Sequence, residues 1–180
     1  MNVRWSSLFS STSKNTDYKI VRWVRFETLF FNPKIAHSRI LTIDVFLEFV
    51  YTKYKDKIPY GIKFSKTKFT DNHELQLGEG EHGLTCATFV YSILLANGLQ
   101  LVDLSTWKKR AQDEDWKNLI VSFLKKSIKD SNHIENIERE EINFRLKPEE
   151  IAAASSIPLP ELPANFGYCS NWGQKFNELS

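Results

Sequence analysis

A cysteine at the entrance of an apolar helix is the arrangement in this sequence best suited to covalent chemistry. Cys86 stands in His82-Gly83-Leu84-Thr85-Cys86-Ala87-Thr88-Phe89-Val90-Tyr91-Ser92-Ile93-Leu94-Leu95-Ala96-Asn97-Gly98-Leu99. Cys86, Phe89, Val90, Ile93 and Leu94 follow the i, i+3, i+4, i+7, i+8 rhythm of one helical face. Thr85 reads as the N-cap and Asn97-Gly98 as the stop. In the first turn of such a helix the backbone dipole favours thiolate over thiol, and the thiolate is the nucleophile. The plainer reading is a cysteine that packs into the core, as most cysteines on apolar helical faces do.

The string Thr-Cys-x-x-Phe-Val, the apolar helix of about three turns after it, and the closing Asn-Gly-Leu-x-Leu resemble the nucleophile helix of papain-like cysteine hydrolases. The closer likeness is to the branch holding the bacterial NlpC-type cell-wall peptidases and their circularly permuted relatives. Asp103-Leu104-Ser105-Thr106-Trp107 and Phe144-Arg145-Leu146-Lys147-Pro148-Glu149-Glu150-Ile151-Ala152 also resemble segments of poorly characterised bacterial proteins with a Gly-Leu-Thr-Cys-Ala-Thr-Phe-Val motif. The likeness covers residues 58–155. It implies a small papain-like α+β domain, with helices packed on an antiparallel sheet and the cysteine at the N-terminus of the central helix. It further implies a cysteine hydrolase or acyltransferase that attacks an amide or (thio)ester through the Cys86 thiolate and an acyl-enzyme. A histidine would activate the thiol, a third polar group would orient the histidine, and backbone N–H groups would hold the oxyanion. No cofactor is implied, and the substrate would be a peptide, an acyl group or a protein.

Four histidines are available for the base: His37, His73, His82 and His133. In the ordinary chain order of these enzymes the histidine lies on a strand after the cysteine helix, and in the permuted order before it. His133, in Asp130-Ser131-Asn132-His133, reads as part of a helix start and is a poor base candidate. His37 fits the permuted order but precedes a long apolar helix, where a polar starting residue is the plainer reading. His82 is four residues from Cys86, so a turn could bring it near, although a solvated loop histidine is the commoner case. His73 lies in the same loop. The candidate catalytic residues are thus Cys86, His37 and His82. With no histidine on a strand in the expected place, the alternative is a catalytically inactive papain-like binding or scaffold protein with Cys86 buried in its core.

Composition sets the frame. The 180 residues suffice for one domain with a full core, and 42% hydrophobic with 26% charged residues is ordinary for a globular protein. A formal net charge of +2, with basic and acidic residues interleaved, gives no nucleic-acid stripe. Two cysteines and four scattered histidines form neither a disulfide framework nor zinc-ligand spacing, so no metal is expected. The first ten residues lack a secretory apolar run, and no stretch reaches transmembrane length. The expected compartment is the cytoplasm.

Along the chain, residues 1–17 read as a polar N-terminal segment and 18–155 as the α+β domain. Residues 156–180 read as a Pro-rich, aromatic tail that wraps the domain or docks on a partner. Strands are expected at Tyr18–Phe26 and Ile142–Leu146. Helices are expected over 38–55, 112–128, 131–140 and from Pro148, which sits at the first helical position ahead of Glu149 and Glu150. The 112–128 helix should bury Trp116, Leu119, Ile120, Phe123 and Leu124. Residues 65–83, polar and carrying Gly78, Gly80 and Gly83, read as a loop.

Overall fold

A computed structural model describes residues 37–54 and 57–178. Its elements run α1 (His37–Tyr54), β1 (Lys68–Phe69), β2 (Leu75–Gln76), α2 (Cys86–Ala96), α3 (Gln112–Ser127), α4 (Ser131–Arg139), α5 (Pro148–Ser155) and α6 (Phe166–Glu178), with short 3-10 turns at Leu104–Thr106 and Leu159–Glu161. Among the described residues the protein is therefore mixed α/β, with six helices and one antiparallel ribbon pairing Lys68 with Gln76 and Phe69 with Leu75. The expected strand Tyr18–Phe26 lies outside the described residues.

The central helix α2 forms where the cap chemistry starts it. The Thr85 hydroxyl accepts from the Thr88 N–H while the Thr88 hydroxyl accepts from the Thr85 N–H, a reciprocal capping box. Gly98, at φ +73°, ends it in the left-handed conformation that suits glycine. Ala87 through Leu94 are all buried, so α2 is enclosed on nearly every side. Ile43, Phe46 and Val50 of α1 pack in the same core, as do Phe69 of β1, Ile151 and Ala154 of α5, and Cys169 of α6.

Residues beyond 155 close back onto this core. Ile157, Ala164 and Cys169 are buried in it, Val102 bridges Ala164 in parallel, and α6 packs along α5. A second, smaller cluster joins Val121 and Leu124 of α3 to Ile134 and Ile137 of α4, with Ile62 and Ile142. The segment 58–64 straddles the two, since Ile62 belongs to the second cluster and Phe64 to the first.

Three expectations are corrected. Ile142–Leu146 is not a strand; Ile142 and Leu146 are buried as alternation requires, but among the described residues the segment has no partner strand. Side chains hold it instead, the Arg110 guanidinium donating to the Arg145 carbonyl at 3.2 Å and Glu150 accepting from the Lys147 N–H at 2.9 Å. The face of α3 is rotated: Val121 and Leu124 are buried, whereas Leu119 and Phe123 are 68% and 61% exposed. Residues 65–83 are not all loop, because Asp71-Asn72-His73 turns the β1–β2 ribbon, with His73 at φ +60°. The His73 ring then lies 4.6 Å from the Phe46 ring and 4.7 Å from the Phe49 ring, centroid to centroid, tying the ribbon to α1.

Candidate active site

Two backbone segments are pressed together ahead of α2. The Leu84 N–H donates to the Pro59 carbonyl at 3.0 Å. A Cβ on Gly83 would stand 2.1 Å from that carbonyl oxygen, and one on Gly61 would stand 2.4 Å from the Gly83 nitrogen. The glycines that the sequence places before Cys86 therefore serve backbone-to-backbone approach. The contact packs the Pro59-Tyr60 backbone against Gly83, three residues ahead of α2.

Two buried carboxylates lock this arrangement. Glu81 accepts from the backbone N–H groups of Ser65, Lys66 and Thr67 and from the hydroxyls of Ser65 and Thr67. Burial alone would raise its pKa, but these donors outweigh burial and hold it below the ordinary 4.5. Glu140, at the end of α4, receives four donors. Its Oε2 accepts from the N–H of Ile62 at 2.8 Å and of Lys63 at 2.9 Å. Its Oε1 accepts from the His82 N–H and lies 2.9 Å from the His82 ring nitrogen Nδ1. A carboxylate that already takes three N–H donors sets Nδ1 as the fourth, which leaves Nε2 of the neutral ring as a lone-pair acceptor. The His82 side chain is 32% exposed and that of Glu140 is fully buried.

Cys86 is the first residue of α2 and is exposed, unlike the fully buried Cys169. The expectation of a core-packed Cys86 is thereby corrected. Solvent reaches the residue while protein crowds one side of it. That burial pushes the thiol above its ordinary 9.0; the N–H groups of Ala87 and of Cys86 itself and the Arg145 charge pull it down, and Glu149 pushes it up. The helix start does favour thiolate, as its sequence position suggests, but burial is the larger effect. Tyr60 and Arg145 share this electrostatic neighbourhood: burial and the Cys86 charge raise the phenol, and burial lowers the guanidinium. The Arg145 guanidinium stacks 4.1 Å above the Trp116 ring.

Of the candidate residues, the structure sets His82 and Cys86 on the same short approach to α2, with Glu140 behind the histidine. Among the described residues no hydrogen bond joins the His82 ring to the Cys86 sulfur. His37 opens α1, and its side chain lies outside the described residues. His133 is spent on structure, its Nε2 lying 2.9 Å from the Tyr60 carbonyl. Glu140, Tyr60 and Arg145 were not singled out from sequence. Glu140 sits in the charged run Glu138-Arg139-Glu140-Glu141, where nothing local marks the one carboxylate that turns inward.

Among the described residues no group of His, Cys, Asp and Glu could hold a metal ion, and no helix is long and apolar enough to cross a membrane. No family model, curated protein or solved structure matches the chain.

Proposed function

We propose that the protein is a small papain-like cysteine hydrolase or acyltransferase, with Cys86 as nucleophile, His82 as base and Glu140 as the group that orients the base. The observation that carries this reading is the Nδ1–Glu140 hydrogen bond of His82, four residues ahead of an exposed cysteine at a helix N-terminus. It supplies the base–orienter pair that nucleophilic catalysis needs.

The chemistry balances as follows. Nε2 of His82 takes the Sγ proton as sulfur forms a bond to the carbonyl carbon, and the carbonyl π pair moves to oxygen. The N–H groups of Cys86 and Ala87, in the first turn of α2, are the oxyanion donors. Collapse re-forms the carbonyl and breaks the C–N, C–O or C–S bond, with the leaving group taking the proton from His82. Water or an amine then attacks the thioester carbonyl and gives its proton to Nε2 of His82; the C–S bond breaks, the product leaves, and the Cys86 sulfur takes that proton back. Because the resting thiol is raised, proton transfer accompanies attack, and no standing ion pair is required.

A competing reading is a catalytically inactive binding domain. It draws on the raised thiol and the missing ring-to-sulfur hydrogen bond. Incubation with p-nitrophenyl acetate decides between them. The proposal expects a stoichiometric burst with acetyl mapped to Cys86, abolished in Cys86→Ala and slowed about a hundredfold or more in His82→Ala. Acetylation of Cys86 at the rate of a free thiol, indifferent to His82→Ala, would leave the binding domain.

A further inference from the structure

Helix α1 is apolar on two faces. Ile43, Phe46 and Val50 are buried in the main core, while Leu41, Val45 and Phe49, spaced one turn apart along the other side, are each more than half exposed. A helix that is apolar all round belongs in an interior. The ribbon turn does not supply that cover: the His73 ring lies 4.7 Å from the Phe49 ring, yet Phe49 stays 56% exposed. Asp44 and Glu48, both exposed, border the apolar row on one side. Lys53, on the other side, is already paired with Glu74 at 3.0 Å.

Leu41, Val45 and Phe49 offer on the order of 300 Å² of apolar surface, given about 150–250 Å² for a whole large side chain. A free protein partner needs roughly 800 Å². A segment of the same chain needs far less, because its tether holds it at millimolar effective concentration. The sequence directly ahead of α1 has the matching composition. In Lys19-Ile20-Val21-Arg22-Trp23-Val24-Arg25-Phe26 the apolar residues run between three basic ones, and Leu29-Phe30-Phe31 follow. Basic residues set among large apolar ones complement an apolar row with an acidic border. Reach is sufficient: Val45 stands about 12 Å along the helix from His37, and the five residues 32–36 span up to about 17 Å when extended. We propose that the Leu41, Val45 and Phe49 face of α1 is the docking surface for residues 19–31 of the same chain.

Thiol labelling reads the exposure of this face directly. Val45→Cys and, as an exposed reference on α3, Ser122→Cys are each placed in the full chain carrying Cys86→Ser and labelled with a maleimide at low micromolar protein. Cys169 is fully buried and stays unreactive while the domain is folded, so it reports folding in every sample. Position 45 should label about tenfold more slowly than position 122, at a rate independent of protein concentration. Trp23→Asp with Phe26→Asp should bring the two rates together while Cys169 stays protected. Arg22→Glu with Arg25→Glu should speed labelling part of the way, and adding Asp44→Lys with Glu48→Lys should slow it again. Equal rates at positions 45 and 122 with the N-terminal sequence unaltered would overturn the proposal. So would protection that deepens with protein concentration, which assigns the face to a second copy, or protection that survives both the Trp23/Phe26 and the Arg22/Arg25 substitutions. Where the Trp23/Phe26 pair exposes Cys169, the charge reversals decide alone. Cys86 is replaced in every sample, so the outcome is independent of the nucleophile reading.

Discussion

His82 Nδ1 and Glu140 Oε1 lie 2.9 Å apart across 58 residues of chain, joining the approach to α2 to the end of α4. The same carboxylate takes the backbone N–H groups of Ile62, Lys63 and His82. One side chain therefore fixes both the 62–63 segment and the orientation of the candidate base. Stability and chemistry separate in the two partners. Glu140→Gln places an amide N–H₂ among donors and leaves at least one buried N–H without an acceptor, at a cost on the order of 3 kcal/mol. His82→Ala, at a part-exposed position, costs about 1 kcal/mol or less. Urea denaturation of the two variants checks the order; equal losses would refute it.

The backbone contact before Cys86 tolerates no side chain. In Gly83→Ala the new methyl meets the Pro59 carbonyl oxygen at 2.1 Å, and neither backbone atom can swing away. Gly61→Ala meets the Gly83 nitrogen from the other side. Each should cost about 2 kcal/mol or more by overpacking, and each should push the 59–61 backbone away from Gly83. Gly98→Ala provides the comparison: open space surrounds its Cβ, and the cost of about 1 kcal/mol comes from the positive φ. Thermal unfolding of the three variants ranks them.

The parts of this architecture that were legible from sequence are those fixed by local chemistry. Thr85 with Thr88, Pro148 with Glu150, and the apolar spacing of Ile43, Phe46 and Val50 each specify their helix within one or two turns. The face of α3 was not legible, because Leu119 and Phe123 are as apolar as Val121 and Leu124, and only the position of α4 decides which pair is covered. Ile142–Leu146 alternates like a strand, but a strand needs a neighbour, and here Arg110 and Glu150 supply the hydrogen bonds. Cys86 and His82 could be singled out because they are close in sequence to a recognisable helix start. Glu140, Tyr60 and Arg145 reach the site only through tertiary contacts.

The charges around Cys86 pull its thiol in opposite directions. Arg145 lowers it and Glu149 raises it, with burial above both. Glu149→Gln should therefore move thiolate formation to lower pH, and Arg145→Gln to higher pH. Thiolate absorbance followed through a pH titration, with Cys169→Ala as background, reads both shifts. Shifts of the same sign in the two variants would contradict the arrangement.

Glu81 governs acid stability. Its carboxylate is held below the ordinary 4.5 by the Ser65 and Thr67 hydroxyls and by backbone donors, so the native state binds its proton less readily than the unfolded chain. Its contribution is present above pH 4.5 and is lost as the pH falls through the native value. Glu81→Gln should be less stable at neutral pH and should lose less than the native chain between pH 5 and about 3. Urea midpoints across that range measure the difference.

Alkaline stability follows from the opposite sign. Cys169 is fully buried, and burial together with the nearby Glu150 pushes its thiol from 9.0 up to about 12. Burial and Asp103 push the Tyr91 phenol from 10.0 up to about 12. Both groups keep their protons in the native protein at pH values where the unfolded chain gives them up. Their stabilisation is thus intact below pH 9 and drains as the pH rises toward 12. Cys169→Ala removes one of the two. The variant starts lower, because a buried sulfur is replaced by a smaller group against α5, but its melting temperature should fall less steeply between pH 9 and about 11. Tyr91→Phe tests the other group, at the cost of the hydroxyl's 3.3 Å hydrogen bond to the Val102 carbonyl. If both variants lose stability with pH as steeply as the native chain, neither group is the source of the alkaline transition.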